Sequence, residues 1–326
     1  MASYILLERL KVENANALAG MTYGFPALTS FLGFTHALSR KFSAEFGNAF
    51  TGCAIFCHDY ELNAYQDYYV KFIQNRCPPS TLKGKSADAK SPAPIIEEAK
   101  MDMTVSVLLQ CDKSLSTNLD NIKNYILRLK QWIYSSRLAG GSIHHINDIK
   151  LLGDDIKKLK KYILPSFVLL DASHYLQEHE QYCLNHHIDK NAFDRWTDFF
   201  SFKYQAIQNH NDDSDEHNEV LWQRIIPPNK KGWIVPLMLG FKGISPLYPP
   251  EQVENLRDHR YPFRFVEAIH GLGEWKSSHR IDDMHSLIWR YDCRDEWYLC
   301  RQKPQIQQPI FDVNQIFNDD EEDLQF

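Results

Sequence analysis

Residues 3–43 read SYILLERLKVENANALAGMTYGFPALTSFLGFTHALSRKFS, and three kinds of local order follow one another along them. The stretch 3–13 holds β-compatible residues around a central apolar run, the make-up of a strand. Residues 25–43 place Phe31, Phe34, Ala37, Leu38 and Phe42 at helical spacing, with Pro26 near the start, where proline is tolerated. Between them, asparagines alternate with alanines and a glycine-rich run follows. So much turn chemistry between a strand and a helix, with amides and an aromatic inside it, marks either a binding surface or a capped core.

Working outward, 50–67 reads as a long strand bent near His58 and Asp59, and 94–111 alternates from Met101 to Val107 as its neighbour. Residues 75–94 are rich in Pro, Ser, Lys and Ala and read as an exposed loop. That loop carries Arg76, Lys83, Lys85 and Lys90, with Asp88 as its single acid and Lys71 just upstream. Residues 116–141 read as a second amphipathic helix ending on glycines, and 164–173 as a fourth short strand. The order β-α-β-β-α-β from residue 3 to about 171 gives the fold class α+β and a ferredoxin-like (RRM-type) arrangement. RNA-binding modules use that scaffold, and so do many unrelated proteins. Beyond it, 174–184 and 191–207 read as helical, 232–245 as a strand, and 262–270 and 282–291 as helices.

The 44% hydrophobic and 13% aromatic content is that of a folded chain. No apolar run reaches the roughly 18 residues of a membrane helix, and Glu8 and Arg9 interrupt the apolar core a signal peptide would need. Seven irregularly spaced cysteines do not form a secreted disulfide framework. The expectation is a cytoplasmic protein. Net charge is −6, but 312–326 holds six acids and 212–219 five more. Without them, 36 basic residues face 31 acidic ones, a net of +5. The body is mildly basic, which permits a nucleic-acid surface without demanding one.

Metal and catalytic signals are weak. Cys53, Cys57 and His58 lack a second ligand pair for zinc and read as buried thiols beside a histidine. No nucleophile elbow or dinucleotide loop occurs. His36 and His58 are the candidate general bases of a metal-independent ribonuclease, with no partner singled out by spacing. No catalytic residue, metal or cofactor is expected. The stretch 64–79 interleaves Tyr65, Tyr68, Tyr69 and Phe72 with Lys71 and Arg76, a pattern suited either to stacked bases and phosphates or to a hairpin packing a core. Residues 157–164 read as a solvated basic helix face. In 137–145, Arg137 precedes a glycine pair whose N–H groups suit a phosphate, or which simply ends the helix.

Five blocks in order, NANALAGMTYGFPALTSFLGFTHAL (14–38), IIEEAKMDMTVSVLL (95–109), RLAGGSI (137–143), GWIVPLMLGFKGISPLY (232–248) and RFVEAIHGLGEW (264–275), resemble the second-subunit family of the type I-F CRISPR Csy complex. The resemblance implies a RAMP-type, RRM-like domain with an inserted thumb, in a subunit that holds the 5′ handle of the guide RNA and does no catalysis. It implies a core over 1–173, a thumb insertion and C-terminal α/β segment over 174–311, and an acidic tail over 312–326. Implied partners are the crRNA 5′ handle, the large subunit, the adjacent backbone subunit and target DNA, with no membrane. On this basis Asn14, Asn16 and Tyr23 are expected to meet nucleotides. Lys71 and Arg76 are the expected phosphate contacts, with Asn75 beside them, followed by Arg137, Gly140, Gly141 and Ser142. The alternatives left open are an endoribonuclease that trims precursor guide RNA and an assembly subunit that works without RNA.

Overall fold

The computed structural model describes residues 2–76, 94–208, 220–228, 230–256 and 258–302. The basic loop from 77 to 93 and the acidic runs 212–219 and 312–326 lie outside the described residues. The chain divides into two compact units, one of Met1–Leu169, Met238–Ile269 and Ser277–Lys303, the other of Leu170–Leu237, His270–Lys276 and Pro304–Phe326.

The first unit opens with β1 (Ala2–Asn16), the hairpin β2 (Leu18–Ala19) and β3 (Thr22–Tyr23), and helix α1 (Leu28–Phe46). There follow β4 (Phe50–Gln66), β5 (Val70–Arg76), β6 (Ile95–Glu98), β7 (Lys100–Leu115) and α2 (Leu119–Tyr134). Next come β8 (Arg137–Leu138), β9 (Gly141–His145), β10 (Asp148–Leu152), α3 (Ile156–Ile163) and β11 (Phe167–Asp171). In β7, Met101, Met103 and Val105 are buried at alternate positions, the mark of one face packed on a core, and from Val105 to Leu109 both faces are buried. β7 lies between β1 and β4, antiparallel to both. The free edge of β1 takes β9 and β10, and β4 pairs with β11.

Two of the three shifts in the β1–β7 register, between Leu7 and Leu10 and between Val12 and Ala15, lie in the middle and end of β1 and bend it. Each holds a residue with left-handed backbone, Arg9 at φ 49° and Asn14 at φ 56°. The strain at Arg9 is offset by its N–H on Ser106 Oγ (2.9 Å) and its guanidinium on the Leu164 carbonyl (3.2 Å). Helix α1 buries Leu28, Phe31, Leu38 and Phe42 and stops at Gly47, whose φ of 66° suits a residue without Cβ. Its last turns meet α2 through Phe46 and Tyr125 (ring centroids 4.8 Å apart), with Arg128 Nε donating to both oxygens of Glu45.

Two expectations shift here. Residues 164–173 do hold a strand, but β11 pairs with β4; the strand that follows α2 and lies against β1 is β9. Helix α2 also ends early, at Tyr134, and the glycines after it belong to a hairpin. Ala139 and Gly140 both adopt positive φ (51° and 78°), as the tight turn of a twisted hairpin requires.

The second unit contains α4 (His174–Asn185), α5 (Ala192–Thr197), β12 (Lys203–Gln208) and β13 (Val220–Ile225). Its core is Ala172, Leu176, Trp196, Phe199, Ile234 and Leu272, and the Trp196 indole N–H donates to the Gly271 carbonyl at 2.8 Å. The helix expected over 191–207 stops at Thr197. Residues 203–208 instead pair with β13, a long-range pairing that local propensity does not reveal.

Strands β14 (Trp233–Gly243), β15 (Val266–Ser277), β16 (Arg290–Arg294) and β17 (Trp297–Arg301) complete the chain. The helices expected at 262–270 and 282–291 are replaced by β15 and by a single 3-10 turn over His285–Leu287 followed by β16. Asp283 caps that turn, accepting from the N–H groups of His285 and Ser286, and Trp289 then exchanges backbone hydrogen bonds with Cys53. Among the described residues, no helix is long and apolar enough to cross a membrane.

Candidate nucleic-acid interface

The end of β1 and the β8–β9 hairpin bring together Asn14, Asn16, Arg137, Gly140, Gly141 and Ser142. Glu13 pairs with Ser142, which pairs in turn with Arg137, and the Asn16 N–H donates to the Ala139 carbonyl at 2.8 Å. Gly141 is buried between the strands. A Cβ there would stand 2.6 Å from the Glu13 carbonyl oxygen and 2.8 Å from the Ala15 nitrogen, so only glycine allows this approach. Asn14, Asn16, Arg137, Gly140 and Ser142 are exposed. The Arg137 guanidinium folds over the turn, with Nη1 donating to the Gly140 carbonyl at 3.1 Å.

The two asparagines also shape the backbone. The Asn14 N–H donates to Asp102 Oδ1 at 2.8 Å. The Asn16 amide brackets residue 18, with Nδ2 on the Leu18 carbonyl and Oδ1 accepting its N–H, both at 3.3 Å. This local clamp starts the turn-rich segment that the sequence displays.

Tyr23 extends the cluster sideways. It pairs with Leu18 and meets the Phe72 ring edge-on, centroids 5.0 Å apart. Lys71, next to Phe72, is exposed and lies 4.0 Å from Asp67. Farther along β5, the Asn75 amide donates to Glu98 Oε2 at 2.7 Å, and Arg76, opposite Ile95, is exposed. Glu97 accepts the Phe72 N–H at 2.7 Å, so carboxylates stand beside the bases of this hairpin. Tyr65, Tyr68 and Tyr69 pack no core; all three are exposed.

His36 is exposed on α1. His58 is locked: Nδ1 stands 2.9 Å from the Pro165 carbonyl, which only accepts, so Nδ1 carries the proton. Nε2 then accepts from the Ser106 hydroxyl at 2.7 Å. Burial holds the His58 pKa below its usual value, against the pull of the Pro165 hydrogen bond. Both ring nitrogens are occupied, which leaves none to take a proton from a 2′-hydroxyl. Cys53 and Cys57 are buried, and burial pushes both thiols up to about 12. Among the described residues, no group of three His, Cys, Asp or Glu side chains is arranged to hold a metal ion.

Sequence reasoning missed the β12–β13 ribbon of the second unit. Tyr204 pairs with Arg224 and Ala206 with Trp222, and both rings are exposed. The Arg224 guanidinium lies 4.7 Å over the exposed Phe202 ring. The available signal was the β-branched and aromatic content of 202–207 and 220–225 on both sides of the acidic run, hidden by reading 191–207 as one helix.

One end of the β-sheet thus carries exposed amides, an arginine folded over a tight turn and a close-packed glycine backbone. The family pattern described as CRISPR-associated protein (Cas_Csy2) matches residues 5–300. The chain therefore belongs to the Csy2 family of CRISPR-associated proteins. It is 29% identical over 318 residues to CRISPR-associated protein Csy2 of Pseudomonas aeruginosa strain UCBPP-PA14, which covers 91% of this chain and 94% of that protein.

Proposed function

We propose that this chain is a non-catalytic, cytoplasmic subunit of a type I-F CRISPR effector that binds the 5′ handle of the crRNA. It pairs with the large subunit, touches the adjacent backbone subunit, and so helps form the end of the complex that engages target DNA. The observation that carries the reading is the cluster of Asn14, Asn16, Arg137, Gly140, Gly141 and Ser142 at one end of the sheet. The strand order β4-β7-β1-β9, with α1 and α2 in the connections, supports a ferredoxin-like RNA-binding core. Tyr23 supplies a ring for base stacking, and Lys71, Asn75 and Arg76 line the neighbouring strand. The Phe202, Tyr204, Trp222 and Arg224 ribbon is the candidate thumb.

Co-expression of the tagged chain with its neighbouring genes and a CRISPR array, followed by sequencing of bound RNA, tests the reading. A guide of uniform 5′ end supports it. Recovery of the assembled complex with the same yield and no RNA favours an assembly subunit. Cleavage of precursor RNA by the isolated chain in chelator, lost in His36→Ala, favours the endoribonuclease.

A further inference from the structure

We propose that Glu13, held in place by His144, reads a guanine of the RNA bound at the Asn14–Arg137 surface. The inference rests on the handle-binding reading and deepens it, by giving that surface a base reader. Glu13 stands opposite Ser142 in the β1–β9 ladder, one residue before Asn14. The close approach of β9 to β1 at Gly141 brings His144 within reach of it. The two side chains are 56% and 54% exposed, and His144 Nε2 lies 3.2 Å from Glu13 Oε2. A carboxylate only accepts, so Nε2 is the donor whether the ring is neutral or charged.

An exposed carboxylate repels phosphates, so what meets Glu13 on an RNA surface is a base edge. Phosphate contacts position a strand, and base contacts specify it. Lys11 is exposed two residues before Glu13, with Val12 buried between them, so both project from one side of β1. Its ammonium offsets the repulsion for neighbouring phosphates. Asp102 has a different task, because it accepts the Asn14 N–H at 2.8 Å and so serves the backbone. Glu13 accepts from His144 through Oε2, and among the described residues no donor meets Oε1.

The carboxylate selects the base. Uracil sets acceptors on both sides of its single ring N–H, and cytosine and adenine set a ring-nitrogen acceptor beside their amino group. Guanine alone offers two adjacent donors, N1–H and N2–H, spaced to match the two oxygens of a carboxylate. Oε1 takes one of them, and Oε2 keeps a second lone pair for the other. His144 is a positioning residue: it orients the carboxylate before RNA arrives, so less freedom is lost on binding.

Selection from a short randomised RNA pool, on the full-length wild-type chain and on Glu13→Gln, with sequencing of the retained RNA, tests the assignment. The wild type should enrich guanine at one position by about tenfold. Glu13→Gln should lose that enrichment, because an amide both donates and accepts. It should also bind a guanine-free pool more tightly than the wild type, since a charge that repels phosphates is gone. Inosine lacks the N2 amino group, and in place of the selected guanine it should weaken wild-type binding by about tenfold, with little difference between the two RNAs in the variant. His144→Ala should lower the guanine preference severalfold at an unchanged melting temperature; an unchanged preference overturns the positioning role. Guanine enrichment that survives in Glu13→Gln overturns the proposal, as does RNA retained by the wild type with no guanine preference. Equal weakening of every sequence in Glu13→Gln overturns it too and makes Glu13 a structural residue. Failure of the wild type to retain any RNA overturns the handle-binding reading itself, and this inference with it.

Discussion

The backbone N–H of Asn16 donates to the carbonyl of Ala139 at 2.8 Å, tying the last residue of β1 to the turn that carries Gly140. This bond joins the asparagine-rich segment and the Arg137 hairpin into one surface. The account of function depends on that union.

If the surface holds RNA, Arg137→Ala weakens binding by a similar factor for every handle sequence. The slope of log affinity against log salt should fall by about one, as loss of a single phosphate contact predicts. Filter binding at several salt concentrations gives the number. A loss confined to one handle sequence would make Arg137 a base reader.

Gly141→Ala should lower stability by about 1–3 kcal/mol, because its Cβ would press on the backbone of Glu13 and Ala15 with no flexible atom to yield. Thermal unfolding measures it. A melting temperature equal to wild type would show that β9 can move away from β1 at no cost.

Asp198 is buried and accepts from Lys203 (2.6 Å), Lys190 (2.7 Å) and His179 (2.8 Å). Burial by itself raises the carboxyl pKa, but these hydrogen bonds outweigh it and hold the group below the usual carboxylate range. The stabilisation is therefore complete above the unfolded pKa of about 3.9 and lost as pH falls through the lower folded value. Asp198→Asn should destabilise by about 2–3 kcal/mol, less than a fully buried pair because both lysines reach solvent. Chemical denaturation at pH 7 and pH 3 tests both parts: the variant's deficit should shrink at the lower pH.

His58 behaves with the same sign for a different reason. Its folded pKa lies below its ordinary value, so the unfolded chain binds the proton first. Stability should be full above about pH 6.5 and decline below it. In His58→Gln that decline should flatten. An equally steep decline in the variant would place the titrating group elsewhere.

What the sequence disclosed follows the range of each interaction. The segments β1, α1 and β4 were legible because their apolar spacing is local: Phe31, Leu38 and Phe42 line the buried face of α1 as their periodicity requires. The 137–142 hairpin was hidden, because Ala139 and Gly140 resemble a helix end until β1 offers a strand to pair with. The same holds for 203–208 and 266–277, whose strand character comes from distant partners. Lys71 and Arg76 read as a basic strip because nothing local shows that Glu97 and Glu98 lie alongside in β6.

The most direct test of the central claim is ultraviolet cross-linking of handle RNA to the full-length chain, with the attached peptides mapped by mass spectrometry. The account predicts adducts on peptides spanning 14–23 and 137–142, lost when unlabelled handle RNA competes. Efficient RNA binding with adducts only elsewhere in the chain would contradict it.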